Sequence, residues 1–269
     1  MGTMDTAELG GSEPWASDTK LFQPLQDQIL LYEEANCRAL KAFLRMLNLP
    51  FEEEWRVNAE HMSPSNQVPF IKCGQFVVSE MVPIIEFVEA KGYSLSNHLE
   101  NEDRSDMKAY MNLVDSILMD AEYFVCWKLA NVSRNYTRPR FCSFYPWPLN
   151  SVLFRMKKWG IEKRLKLRSR EKADLTMDSV LEDVKNCLQI ITDILGDKVF
   201  LYGNKPTELD ALLFGHLSAI YNTNLPDNRL KELVGESTKL LEMCARIDDK
   251  YISSWKSRSN AKSSSTIKS

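Results

Sequence analysis

The stretch NQVPFIKCGQFVVSE, residues 66–80, sets a proline at the entry to a strand, then a glycine turn, then a Ser-Glu pair ahead of an apolar helix. That order suits a pocket for a small peptide-like ligand, or the scaffold of such a pocket kept without its chemistry. Nucleophilic chemistry would need a low-pKa thiol at a helix N-terminus, where the dipole stabilises thiolate. Cys37 lies 13 residues before Pro50, like the second cysteine of a C-x-x-C motif, but the first position holds Glu34, which is no nucleophile. Cys37 therefore reads as an unreactive helix residue. His216, within FGHLSAI, reads as a satisfied core histidine rather than a base or ligand. The run Glu52-Glu53-Glu54 reads as a solvated strand end.

Metal and nucleotide chemistry find no support in the spacing. The three histidines (His61, His98, His216) stand at no metal-ligand distance from one another or from a cysteine, so no metal site is expected. Neither G-x-x-x-x-G-K-[ST] nor G-x-G-x-x-G occurs, and no cofactor is expected. The six cysteines are scattered and no secretory signal is visible, which points to a reduced compartment. Residues 1–100 carry 7 basic and 15 acidic groups, whereas the remainder carries 27 and 22. That asymmetry argues against a nucleic-acid binder built on one dominant basic domain. No run approaches 18 apolar residues, so no bilayer-spanning helix is expected.

At 269 residues the chain can bury a large core, more readily as two domains than one. Residues 1–20 and 256–269 read as flexible tails. QILLY (28–32) reads as a first strand, CRALKAFLRMLNLP (37–50) as a helix and FEEEWRVN as a second strand. VPFIKCGQFVVSE supplies two strands around Cys73-Gly74-Gln75, and PIIEFVEAKG a helix ending at Gly92. The expected class is α/β plus all-α: a thioredoxin-like domain over 21–95, then a helical domain over 100–253. In the second part, Met107, Tyr110, Val114, Ile117, Ala121 and Phe124 mark one face of a long helix, with Met111, Leu118 and Val125 beside it. MDSVLEDVKNCLQIITDIL and NRLKELVGESTKLLEMCARIDDKY add further helices. In KPTELDALLFGHLSAIY, Thr207 and Asp210 stand at the spacing of a capping box, a folding device whose loss costs about 1 kcal/mol.

A thioredoxin-like half followed by helices resembles the glutathione transferases. The resemblance implies a cis bond at Pro69, ligand hydrogen bonds from Val68, and Ser79 and Glu80 at a helix N-terminus facing an anion. The pair reads Ser-Glu where the transferase pattern is more often an acid followed by Ser. A glutathione-activating hydroxyl would fall to Tyr32, expected at the end of the first strand. The chain is more specifically similar to metaxins through MSPSNQVPFI, MKAYMNLV, YPWPLN, VLEDV and PTELDALLFGHL, blocks that keep their order across residues 20–250. It is most similar to the paralogue type without a C-terminal anchor. That resemblance implies a non-enzymatic, peripheral subunit on the cytosolic face of the mitochondrial outer membrane. Its partners would be an anchored metaxin-1-like protein and the outer-membrane β-barrel assembly protein. An active glutathione-dependent transferase, and a cytosolic or organelle-tethering adaptor, are the alternatives.

Two features could touch a membrane. RMKKWGIEKRLKLRSREK (155–172) holds nine Lys or Arg against two Glu. One reading is a solvated helix pair whose apolar residues pack inward. In the other, Arg155, Lys157, Lys158, Trp159, Lys163, Arg164, Lys166 and Arg168 lie on anionic headgroups or on an acidic partner. MGTMDT matches the N-myristoylation pattern at Gly2, and one acyl chain needs a second signal, which the basic segment would provide. In YPWPLN, Tyr145 and Trp147 are candidates for partner contact, against the alternative of a packed interhelical loop.

Overall fold

The computed structural model describes residues 13–168 and 175–253, with the side chain of Arg168 outside the description. The first half is a four-stranded sheet with helices: β1 (Lys20–Pro24), α1 (Leu31–Met46), β2 (Glu52–Arg56), β3 (Phe70–Cys73), β4 (Phe76–Ser79) and α2 (Met81–Ala90). The strand order is β2-β1-β3-β4, with β1 parallel to β2 and the other pairs antiparallel. Gly74 takes φ +60° in the β3–β4 turn, and Gly92 takes +87° just beyond α2, where a side chain would be strained. From residue 101 the described chain is helical: α3 (Asn101–Tyr123), α4 (Leu149–Arg168), α5 (Met177–Leu195), α6 (Glu208–Asn222), α7 (Arg229–Glu236) and α8 (Thr238–Ile247), with short helical turns between α3 and α4. The β-α-β, β-β-α order and the helical second part follow the expected class.

The first strand lies elsewhere than expected. KLFQP, not QILLY, pairs with β2 and β3, while Leu31 and Tyr32 already belong to α1. A short apolar run cannot be told from a buried helix start by periodicity alone. Glu33 supports the helix start: its Oε2 accepts from the Leu30 amide at 2.9 Å, satisfying a donor there. The Glu52–Glu54 run is also less solvated than expected. Glu53 accepts from Gln23 Nε2 at 3.0 Å and pairs with Lys41 and Arg45, which ties the edge strand β2 to α1.

Leu21, Ile71 and Val78 face α1 and α2, whereas Phe22 and Phe70 stack at 4.7 Å on the opposite face of the sheet. Helix α6 is buried on every side, including Leu209, Leu213, Phe214 and Leu217, as befits the centre of a large core. Its N-terminus is fixed by two carboxylates. Asp210 accepts from Thr207 N and Oγ1, both at 2.7 Å, and from Leu201 N at 2.9 Å. Glu208 Oε1 accepts from Leu95 N at 3.0 Å and Ser96 N at 3.3 Å, so it holds the segment that leads from the sheet into α3. In α3 the core face carries Met107, Met111, Val114, Leu118 and Ala121, and Val125 follows in the next turn. Tyr110 and Ile117 are only partly buried, so that face is turned slightly from the expected one.

Candidate functional site

A groove of about 230 Å³ opens beside the start of α2. Val68 and Pro69 line it, and the bond between them is cis. Glu80 and Met81 line it from the head of α2, Asn36 from α1, Asp115 and Tyr123 from α3 and Arg164 from α4. Asp115 and Glu80 are carboxylates, and the one guanidinium in the lining is shared: Arg164 Nε lies 3.7 Å from Asp120, with its charge 5.0 Å over the Tyr123 ring. Two carboxylates and one engaged cation make the groove a poor receptor for an anion.

Ser79 does not take the place expected of it. It is the last residue of β4, buried and paired with Phe70. Glu80 instead is the N-cap of α2, with φ +71°, and Met81 opens the helix. A strand-to-helix corner this tight leaves one residue at the helix head, so only Glu80 of the Ser-Glu pair borders the groove.

The candidate nucleophilic groups lie outside the groove lining. Tyr32 sits in the first turn of α1 rather than at a strand end, buried with its ring 4.5 Å from that of Tyr123. Burial pushes its phenol well above the usual range. Cys37 is fully buried within α1, and burial pushes its thiol well up, the opposite of a reactive cysteine. Glu34, the would-be first position of the motif, pairs with Arg38 one turn on.

Behind the groove lies a polar pair in the core. His216 Nδ1 is 2.8 Å from Glu122 Oε1, both fully buried, and His216 Nε2 is 4.0 Å from Asp115. Burial lowers the His216 pKa, but the Glu122 charge and hydrogen bond outweigh it, so the net direction is up. Glu122 was absent from the sequence reading. Its signal is a carboxylate on the same α3 face as Leu118 and Val125, a face that apart from Asp115 is apolar.

The YPWPLN segment divides its roles. The Tyr145 hydroxyl is 2.9 Å from His61 Nε2, beside the Lys157–Glu60 ion pair at 2.5 Å, and Arg140 donates to the Gln26 and Ile29 carbonyls. These contacts join the sheet half to the helical half. Trp147, by contrast, is 83% exposed, not packed in an interhelical loop. The segment from 155 to 168 belongs to one helix, not a pair. Ile161 and Leu165 point into the core while Met156, Trp159 and Leu167 point outward. Lys157 and Arg164 are turned toward Glu60 and Asp120, Lys163 Nζ lies 5.7 Å over the Trp159 ring, and Arg155 and Lys166 are exposed. Residues 169–172, Gly2 and the tail over 256–269 lie outside the described residues. No helix among the described residues is long and apolar enough to cross a membrane, and no group of three His, Cys, Asp or Glu among them could hold a metal ion.

Comparison with known proteins gives these positions a family. Residues 37–158 match the model of an outer mitochondrial membrane transport complex protein, and residues 184–247 match the C-terminal domain of glutathione S-transferases. The chain is 44% identical to metaxin-2 of Homo sapiens over 91% of its own length and 93% of that protein. It is 36% identical to a metaxin-2 homologue of Caenorhabditis elegans, over 79% and 92% of the two chains. Among solved structures, a glutathione S-transferase of Methylobacterium radiotolerans, in complex with glutathione sulfonate, aligns with a TM-score of 0.56 at 13% identity, covering 87% of this chain and 91% of that one. That likeness shows the glutathione-transferase fold alone. With sequence identity of 44% sustained over 91% of its length, the chain belongs to the metaxin family.

Proposed function

We propose that this chain is a non-enzymatic subunit of the outer-membrane import and β-barrel assembly machinery of mitochondria. It acts peripherally on the cytosolic face, beside an anchored, metaxin-1-like partner and the β-barrel assembly protein. The observation that carries the reading is the 44% identity with metaxin-2, over 91% of this chain, joined to the match with an outer-membrane transport complex family. The groove supports the non-enzymatic part. Its helix head presents Glu80 where an anionic ligand would need an attractive site, and Tyr32 and Cys37 are buried with raised pKa values. The interaction surfaces in this reading are the rim of the groove around Val68 and Glu80 and the exposed Trp147. Gly2 remains a candidate for acylation on the strength of its motif.

The test is cross-linked co-purification from isolated mitochondria, with protease shaving and carbonate extraction in parallel. Protein that is shaved, carbonate-extractable and recovered with an anchored metaxin and the outer-membrane barrel is the expected result. Recovery as a soluble protein without either would overturn it.

A second reading, an active glutathione-dependent transferase, is favoured by the cis Val68–Pro69 bond lining a groove of ligand size. It requires saturable protection by millimolar glutathione in thermal denaturation and loss of turnover in Tyr32→Phe.

A further inference from the structure

Helix α4 has three faces. Ile161 and Leu165 enter the core, with Phe154 against Trp127 at 5.2 Å. On the opposite side, Leu149, Val152, Met156, Trp159 and Leu167 are all exposed, Met156 at 63% and Trp159 at 68%. At roughly 100° per residue these five fall within a sector of about 80°. An apolar stripe along a 20-residue surface helix, interrupted only by Lys163, marks an interaction site rather than scattered exposure. Trp147, two residues before the helix N-terminus, is exposed as well.

The charges along the stripe tell what covers it. The helix carries seven Lys or Arg against one Glu, within a chain whose net charge is −3. Among the described residues, Arg155, Lys158 and Lys166 make no ion pair within 4 Å and stand on one flank of the stripe, with Glu162 the one carboxylate among them. Lys163 lies inside the stripe itself, above the Trp159 ring. In a seam with another protein that ammonium would be buried and would need a matched acid. At a bilayer surface it extends to the phosphates while its methylenes and the indole remain among the acyl chains. A depression of about 300 Å³ between Trp159, Glu162, Lys163, Lys166 and Leu167 sets two ammonium groups and one carboxylate beside an indole, a net positive charge. Tryptophans at one end and near the middle of the stripe suit the headgroup boundary.

We infer that the outward face of α4, from Trp147 to Leu167, lies in the interfacial zone of an anionic bilayer and orients the protein on it. The choice of a bilayer as occupant rests on the outer-membrane reading above; the stripe and its charges do not.

Flotation of the purified full chain with phosphatidylcholine vesicles, with and without roughly one-fifth phosphatidylinositol and cardiolipin, tests the inference. Binding to the anionic vesicles, weakened by salt, is expected. Lys163→Glu and Lys166→Glu should each lower the partition constant at least fivefold, from the contribution of one basic residue near a charged surface. Met156→Glu with Trp159→Glu should abolish flotation while leaving the thermal melt unchanged, since both side chains are exposed. No flotation, or flotation indifferent to these variants, overturns the inference. So does sedimentation as a dimer that the double variant dissociates without any vesicle binding, because the stripe would then face a second copy. Co-purification with the outer-membrane complex is scored separately. A chain that joins the complex without floating sinks this inference and spares the proposed function, and one that floats without joining does the reverse.

Discussion

Gly215 of α6 lies so close to Ala39 of α1 that a Cβ on the glycine would stand 2.5 Å from the Ala39 Cβ and 2.6 Å from its amide nitrogen. Contacts of this kind leave no room for even one methyl, and the obstacles are the partner helix's backbone and the first atom of a side chain, neither of which can swing aside. Ala35, one turn earlier, presents its carbonyl to the same position. Three small residues thus let the central helix of the second half cross the first helix of the sheet half in direct contact. Gly215→Ala should lower unfolding free energy by about 1–3 kcal/mol through overpacking, despite the better helix propensity of alanine. Urea denaturation measures it. A neutral or stabilising alanine would show that the crossing has slack.

The buried Glu122–His216 pair predicts a coupling rather than two separate effects. His216→Leu leaves the Glu122 carboxylate without its partner in the core and should cost about 3–5 kcal/mol. Glu122→Leu combined with His216→Leu should recover most of that loss, since no unpaired polar group remains. A double-mutant cycle at pH 7 reads the difference, and additive losses would refute the pairing.

Burial, and then the charge of Glu60, raises the Glu33 pKa to about 7 from 4.5, against the opposing pull of Lys157 and the Leu30 amide. Burial likewise raises Asp210 to about 6. A carboxyl whose folded pKa is raised keeps a proton that the unfolded chain has released, so stability falls as pH rises between the unfolded and folded values. The protein should therefore lose stability between about pH 4.5 and 7, with Glu33 contributing on the order of 3 kcal/mol. Glu33→Gln keeps an acceptor for Leu30 and should flatten the upper part of that slope. Urea midpoints collected from pH 5 to 8 decide it. An unchanged slope would mean that Glu33 is ionised throughout.

Glu208 ties the entry of α3 to the head of α6 by accepting from Leu95 and Ser96. Glu208→Ala removes the acceptor of the half-buried Leu95 amide and leaves the Ser96 amide only its 3.2 Å bond to Ser94 Oγ, a loss of about 1–2 kcal/mol. Hydrogen exchange should accelerate at Leu95 and Ser96 ahead of the sheet amides of β3. Equal protection in both proteins would assign the tie to other contacts, such as Arg104 to the Ser96 carbonyl at 2.9 Å.

Asp210→Ala should cost more than Thr207→Ala. The aspartate serves three donors, including Leu201 nine residues upstream, whereas the threonine contributes a single local cap worth about 1 kcal/mol. Thermal melts of the two variants give the ranking directly, and equal losses would deny Asp210 its reach beyond the cap.

Much of this protein was legible in its sequence because the signals are local. The glycine at 74, the apolar periodicity of 107–125 and 177–195, and the Thr207–Asp210 spacing each act within a few residues, so they specify turn, helix and cap without knowledge of the rest. The class of fold was implied by the order of strand and helix signals and by the resemblance that the sequence blocks carry. Other features required the assembled chain. Whether Gln28–Tyr32 became strand or helix depended on which segment paired with β2 and β3, a contact between residues some 30 apart. Ser79 and Glu80 are neighbours in sequence, yet the corner between β4 and α2 buries one and turns the other to the groove. In α4 a near-even mixture of basic and apolar residues left inward and outward faces undecided, and only packing against the core chose Ile161 and Leu165 over Met156 and Trp159. Most helices, the β3–β4 hairpin and the Thr207–Asp210 cap could be read locally, since they depend on hydrogen bonds and side-chain periods within a turn or two. The tertiary structure alone decided which side chains face each other, because burial is a property of the whole packed chain and not of any one segment.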